Sequence, residues 1–329
     1  MRRRVWRQGT ISAVSFGTMS FGGFYGPTTE SDSLRTLAGA LDIGVDFWDT
    51  ANVYGDGLCE HVIGKFLAED KSRRARVTLA TKFAIRRRDD GGARFFDNSA
   101  AHIREALDGS RKRLGVDHID LYYVHRVDKS IPIEDTVGEL ARLVKAGAIG
   151  AIGLSEVAPD TLRRAHEHPI AAVQSEYSLW TRNPELGLIQ ACAEFGAILV
   201  AFSPLGRGYL SGLLQNVESF GEKDFRHPNP RFQGLSWRRN RERLGDFVAL
   251  ANAWGLKPAT LAIAWALAKA PHVVPIPGTR VVDHLEECAA ADKIDLTDAQ
   301  LAEIERALPL GYAAGERYSE QQWVGIQKY

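Results

Sequence analysis

The chain has 329 residues, 45% of them apolar and 25% charged, and its 41 Lys+Arg balance 41 Asp+Glu. A chain of this size buries a full core without staples, and a formal charge of zero argues against a nucleic-acid or membrane-surface protein, whose footprint is usually basic. Cys59, Cys192 and Cys288 are odd in number and far apart, so they supply neither a disulfide framework nor a cysteine zinc site, and a reducing compartment fits best.

Arg2-Arg3-Arg4 could open a signal peptide, but Arg7-Gln8-Gly9 interrupts the apolar run it needs. The segment up to Trp6 and Ile11, turning at Gln8-Gly9, reads instead as a hairpin that closes the bottom of a barrel. Short apolar or β-branched runs then alternate with amphipathic helical stretches. The runs are Val14–Phe16, Val45–Trp48, Val77–Ala80, Ile119–Val124, Gly150–Leu154, Ala171–Val173, Ala197–Phe202 and Val273–Ile276. The clearest helices are Ser33–Ile43, Ala101–Leu114 and Ile133–Ala146, the last set between Pro132 and Gly147. Eight βα units predict a parallel (β/α)8 TIM barrel, one domain over residues 1–329. An open dinucleotide-binding sheet would need G-x-G-x-x-G after its first strand, and no such match occurs.

Two stretches break the rhythm. Residues 86–98 are charged and Gly-containing and read as a loop. Residues 203–240, after strand seven, read as a long irregular segment, a lid or binding loop. The tail after Pro309 reads as an irregular cap or interface element. The longest apolar stretch, Leu261–Ala268, is far short of the ~20 residues of a membrane helix, so the expectation is a soluble, cytoplasmic protein.

A barrel of this kind builds its site at the C-terminal ends of the strands. Strand two ends in Asp49, with Tyr54 five residues on; strand three ends in Lys82 and strand four in His125. Lys82, fixed by Asp49, would lower the Tyr54 phenol pKa towards neutrality, and the phenol would then protonate an alkoxide as it forms. His125 would orient a carbonyl oxygen. The set has a proton donor and no electron donor, so it suits carbonyl reduction if a cofactor brings hydride.

Asp49-Thr50-Ala51-Asn52-Val53-Tyr54-Gly55, Thr81-Lys82 and Val124-His125 resemble the catalytic motifs of the aldo-keto reductase superfamily. The resemblance runs on through Gly150–Ser155, Gln174–Ser178, Ser203–Gly206 and Ile276–Arg280, over roughly residues 5 to 310. Ser155-Glu156 and Gly206-Arg207-Gly208 are similar to the bacterial and plant branch. The resemblance implies a barrel that binds NADP(H) without a Rossmann motif, with Tyr54 as general acid, Lys82 and Asp49 tuning it and His125 orienting the substrate. It implies that Ser155, Glu156 and Gln174 meet the nicotinamide, with the Phe202 ring stacking where many members carry tyrosine. Ser203, Leu205, Gly206 and Arg207 would border the pyrophosphate. Gly278, Thr279, Arg280, His284, Glu287 and Cys288 would hold the adenosine phosphate and adenine, Cys288 standing where asparagine is usual. Phe24, Tyr25, Phe83, Trp180 and Phe232 are the expected substrate pocket.

Competing readings are a regulatory barrel that keeps NADP(H) with little turnover, similar to channel β-subunits, and a hydrolase using Asp49 and Glu60. Arg207, Arg226, Arg231, Arg238, Arg239, Arg241 and Arg243, interleaved with Phe225, Phe232 and Trp237, make a pattern that can mark single-stranded nucleic-acid binding. Zero net charge and the reductase motifs argue against it, and a solvated helix face is expected for Arg238–Arg243. His166 and His168 sit two apart, which on a helix points the imidazoles away from each other, so no metal is expected.

Overall fold

A computed structural model describes residues 1–87, 94–214 and 216–329. The chain opens with an antiparallel hairpin, β1 (Arg3–Trp6) and β2 (Gly9–Ser12), paired from Arg3↔Ser12 to Trp6↔Gly9. Barrel strands follow: β3 (Phe16–Gly17), β4 (Phe47–Asp49) and β5 (Thr78–Phe83). A small antiparallel ribbon, β6 (Ile85–Arg86) and β7 (Phe95–Phe96), comes next. The barrel resumes with β8 (Ile119–Val124), β9 (Ile149–Ser155), β10 (Ile170–Glu176), β11 (Ile198–Phe202) and β12 (Val273–Ile276). All eight barrel strands pair in parallel and in chain order.

The ends of this sheet meet. Ser15 N donates to Pro275 O at 2.9 Å and Gly17 N to Pro277 O at 3.1 Å, with a parallel bridge between Gly17 and Gly278. The seam needs its glycines. A Cβ on Gly17 would meet Ile276 O at 3.1 Å, and one on Gly278 would meet Gly17 O at 3.0 Å.

Helices α1 (Glu30–Asp42), α2 (Leu58–Glu69), α3 (Ala100–Leu114), α4 (Ile133–Lys145), α5 (Pro159–Ala165) and α6 (Leu188–Glu194) connect successive barrel strands. α7 (Gly234–Ala253) and α8 (Pro258–Lys269) fill the β11–β12 connection, and α9 (Val282–Ala289) and α10 (Asp298–Ala307) follow β12. Most starts obey local chemistry: Thr29, Ser99 and Thr297 each accept a backbone N–H at a helix N-terminus, and Pro159 and Pro258 sit in first turns.

Strand alternation sorts the core. Phe47, Ala80, Leu121, Tyr123, Val200 and Val274 fill the barrel interior, and Trp6 and Ile11 of the hairpin join them, Trp6 lying edge-on to Phe47 at 6.4 Å. The hairpin therefore plugs the floor, as the sequence leads one to expect. Gly153 is obligatory inside: a Cβ there would fall 2.3 Å from the Tyr123 ring.

Two expectations are corrected. Part of the 86–98 loop is the β6–β7 ribbon, in which Arg86 pairs with Phe95; residues 88–93 lie outside the described residues. Segment 203–240 is irregular only in part. Gly206–Ser211 and Pro230–Phe232 are 3-10 turns, and α7 begins at Gly234, its buried face formed by Trp237, Asn240, Leu244 and Phe247. Arg238, Arg239, Arg241 and Arg243 lie exposed on the other face. The tail crosses the C-terminal rim of the barrel, where the Gln327 side chain accepts from Ala158 N and Thr161 Oγ1, both at 2.7 Å.

Candidate active site

A cleft of about 1450 Å³ opens at the C-terminal ends of the strands. It runs from Tyr54 and His125, past Phe202 and Leu205, to Thr279 and Arg280. Asp49 and Lys82 reach it because they alternate inward with Phe47 and Ala80. Lys82 lies wholly buried beneath Tyr54, its ammonium donating to Asp49 Oδ1, to Thr50 O at 2.7 Å and to Tyr54 OH at 3.5 Å. Gln174 Nε2 donates to the other Asp49 oxygen at 2.7 Å. The His125 ring stands edge-on to Tyr54 at 5.8 Å, and its Nδ1 has no hydrogen-bond partner. One acid, one phenol, one ammonium and one imidazole thus converge.

Their electrostatics differ from the simplest expectation. Burial pushes Asp49 up and Lys82 down, and the pairing of the two opposes both shifts. The Tyr54 phenol is pushed well above its ordinary value, first by burial and then by the Asp49 charge. Among the main influences only the Arg126 charge opposes these, so the expected lowering towards neutrality does not appear. The phenol stays protonated and ready to donate. Burial, then the charges of Arg126, Lys82 and Arg94, hold His125 well below its ordinary value, so it is a neutral imidazole at neutral pH.

Ser155, Gln174, Phe202, Ser203 and Leu205 border the middle of the cleft, and Gly278, Thr279, Arg280, His284, Glu287 and Cys288 its far end. Phe24 and Tyr25 line it as well. Arg207 borders it but is not a free cation, because its guanidinium grips Glu176 at 3.2 and 2.7 Å. Glu156 turns away: at φ +54° its carboxylate accepts from Arg317, Ser175 Oγ and Glu176 N. Gly206 is packed under Trp180, where a Cβ would lie 2.7 Å from the indole.

Three aromatic expectations fail. Phe83 neighbours Lys82 on β5, so it points the opposite way and stacks on Tyr122 at 4.9 Å behind the sheet. Trp180 stacks on Tyr209 at 3.9 Å, and Phe232 packs edge-on to Trp180 at 5.2 Å. Both are core. Sequence reasoning missed Arg94, Arg126, Phe225, Tyr318 and Gln322, which do line the cleft. Of these, only Arg126 carried a signal, its place directly after His125. Glu60 cannot partner Asp49 in hydrolysis. It is buried among Thr81 Oγ1 at 2.6 Å and Arg113 Nε at 2.7 Å, on the helix side of the sheet.

Glu176 anchors a buried ionic cluster that joins β10, the 206–211 turn and the tail. Arg207 and Arg317 both bind it, and Thr181 Oγ1 donates to it at 3.0 Å. Burial would raise its carboxyl, but Arg207, Arg317 and Arg231 overcome this and hold it at about 2. An unfolded glutamate titrates near ~4.3. The cluster's contribution is therefore complete above that value and is lost as pH falls towards 2, an expected loss of about 3 kcal/mol. Denaturant unfolding across this range tests it: Glu176→Gln should show a shallower acid loss than the parent, and identical slopes would contradict the assignment.

The model of the Aldo/keto reductase family matches residues 13–309. The chain belongs to the aldo/keto reductase family. Aldo-keto reductase yakc of Schizosaccharomyces pombe, whose name carries NADP(+), is 41% identical over 313 residues, 94% of this chain and 92% of that protein. Probable aldo-keto reductase 1 of Glycine max is 41% identical over 312 residues, 94% and 88% of the two chains. Among solved structures, a glycerol dehydrogenase from Gluconobacter oxydans superposes with a TM-score of 0.84 at 28% identity, covering 93% of this chain and 94% of that one.

Proposed function

We propose that this protein reduces aldehydes or ketones to alcohols with NADP(H), reversibly, with Tyr54 as the general acid. The observation that carries the reading is geometric: at one end of the cleft the Tyr54 hydroxyl lies 3.5 Å from the buried Lys82 ammonium and its ring stands edge-on to His125 at 5.8 Å. The residues present fit the cofactor. The cleft is elongated, its far end offers a guanidinium, a hydroxyl and the N-terminus of α9, and the orphaned His125 Nδ1 marks a polar atom awaiting a partner at the other. Ser155 and Gln174 would hold the nicotinamide and Phe202 would stack on it. Leu205, Ser203 and Arg207 would border the pyrophosphate, with Thr279 and Arg280 at the adenosine phosphate. When bound, the cofactor supplies hydride to the carbonyl carbon.

The chain's own residues supply the rest. His125, a neutral imidazole, holds the carbonyl oxygen near Tyr54 OH. Tyr54 gives its proton to that oxygen as negative charge develops there, and the buried Lys82 ammonium stabilises the phenolate left behind. Asp49, itself fixed by Gln174, keeps Lys82 charged and in place. We infer a single catalytic unit over residues 1–329 in a cytoplasmic setting, which the free, buried cysteines suit. Mixing the protein with NADPH and 4-nitrobenzaldehyde and following the nicotinamide absorbance tests the activity. Binding without turnover would overturn it in favour of a regulatory barrel.

Coenzyme choice is the finer test. Arg280 Nη2 donates to Tyr25 O at 3.1 Å, which fixes the arm, and Thr279 Oγ1 accepts from Val281 N at 3.1 Å. The planar fork suits a phosphate that NADH lacks. Arg280→Ala should weaken NADPH by about 1.5–3 kcal/mol and leave NADH almost unaffected. Equal losses in titrations of both coenzymes would remove Arg280 from the 2′-phosphate.

A further inference from the structure

With Arg280 assigned to the cofactor's phosphate, positive charge remains at the opposite end of the cleft. Most cations there are neutralised. Arg207 is gripped by Glu176, Arg226 is held bidentately by Asp224 at 2.9 and 2.7 Å, and Arg87 meets Asp56 at 3.4 Å. Lys223, which also lines the cleft unpaired among the described residues, is exposed, and Arg126 and Arg94 are the unpaired cations beside Tyr54 and His125. Both line the cleft with Tyr54 and His125, and among the described residues neither has a carboxylate within ion-pair distance.

Arg126 is half-buried and its arm is fixed: Nη1 donates to His125 O at 2.6 Å and to Ser155 Oγ at 3.3 Å. Those partners are a carbonyl and a hydroxyl, so they orient the guanidinium without cancelling its charge. The two arginines also feel each other. Arg94 is exposed, yet partial burial, then Arg87 and Arg126, lower its guanidinium, and only Asp56 opposes. Of the acids that line the cleft, Asp49 is engaged with Lys82 and Asp224 with Arg226, and among the described residues neither Glu222 nor Glu287 pairs with these two arginines. A fixed, partly desolvated guanidinium beside a second cation is costly unless an anion joins it.

We propose that the physiological carbonyl compound carries a carboxylate, which docks on Arg126 and Arg94 while its carbonyl faces Tyr54 and His125. The planar guanidinium fork matches a carboxylate better than an ammonium would. The inference rests on the reductase reading, and it narrows the substrate class from any carbonyl to oxo acids.

Two aldehydes of nearly equal shape test it: 4-carboxybenzaldehyde and its neutral ester, methyl 4-formylbenzoate. kcat/KM is measured with NADPH, and Kd by calorimetry on enzyme loaded with NADP⁺, which occupies the Arg280 end and allows no reduction. The carboxylate should be favoured about tenfold or more in both readouts, the scale of a hydrogen bond to a charged group. The preference should shrink with added salt, and the carboxylate-to-ester ratio should collapse in Arg94→Gln and in Arg126→Gln. If both aldehydes are reduced with equal or reversed preference, the anion site is wrong and the reductase reading stands. If neither is reduced but the carboxylate still binds more tightly, the anion site stands and the reductase reading is wrong. A preference that survives both arginine variants overturns the assignment to these residues.

Discussion

Tyr54→Phe is expected to lower kcat for carbonyl reduction by a factor on the order of 10²–10⁴, the usual worth of a positioned general acid. The change removes one hydroxyl and keeps the ring, which packs edge-on to Phe24 at 6.1 Å and to His125 at 5.8 Å. Cofactor affinity should therefore hold, and the loss should appear in kcat. The direction of the phenol's shift adds a second signature. Because burial and Asp49 keep Tyr54 protonated, reduction by the parent should run flat with pH through the neutral range and decline only on the alkaline side. His125, held neutral, should add no inflection near its ordinary value. Steady-state kinetics at saturating NADPH decide the matter. Near-parental turnover in the phenylalanine variant would mean that another group delivers the proton.

Lys82→Met should be the other severe loss. The ammonium is completely buried and makes three contacts at once, to Asp49, Thr50 O and Tyr54 OH. Removing it leaves the Asp49 charge uncompensated in the interior, which costs about 3–5 kcal/mol when a buried pair is broken from one side. It also leaves nothing to stabilise the phenolate that Tyr54 becomes. We expect near-abolished reduction together with lower thermal stability. Asp49→Asn should hurt less, since Lys82 and Tyr54 remain and Gln174 can still bond the amide. To separate folding from chemistry, NADPH binding is measured below each variant's melting transition. A Lys82→Met enzyme that binds coenzyme, turns over substantially and keeps the parental pH profile would break the link between ammonium and phenol.

The barrel could be read from the chain because each long strand announces itself: Ile119–Val124 and Ile198–Phe202 are dense in β-branched and aromatic residues, and the polar residue just after each, His125 and Ser203, lies where the cleft opens. Two-residue strands such as Ile85–Arg86 carry no period, so the β6–β7 ribbon left no trace. The aromatic pocket was misread for a different reason. Proximity in sequence to a strand end does not say which face a ring takes, and period-two alternation sends Phe83 outward because Lys82 points inward. The tail's contribution was hidden because Glu156, Glu176 and Arg317 are far apart in sequence and meet only once the rim is assembled.

The seam between Gly17 and Gly278 bears on how the polypeptide is made. A ribosome delivers β3 first and β12 late, so for most of synthesis the growing sheet has two raw margins, β3 on one side and the newest strand on the other. Such margins invite pairing with neighbouring chains, and joins between distant segments form slowly. The plug of Trp6 and Ile11 likewise has no complete floor to fill until the last strand emerges. A nascent chain stalled before Val273 should therefore be protease-sensitive and prone to clump, whereas release of the last barrel strand converts it abruptly to a resistant form.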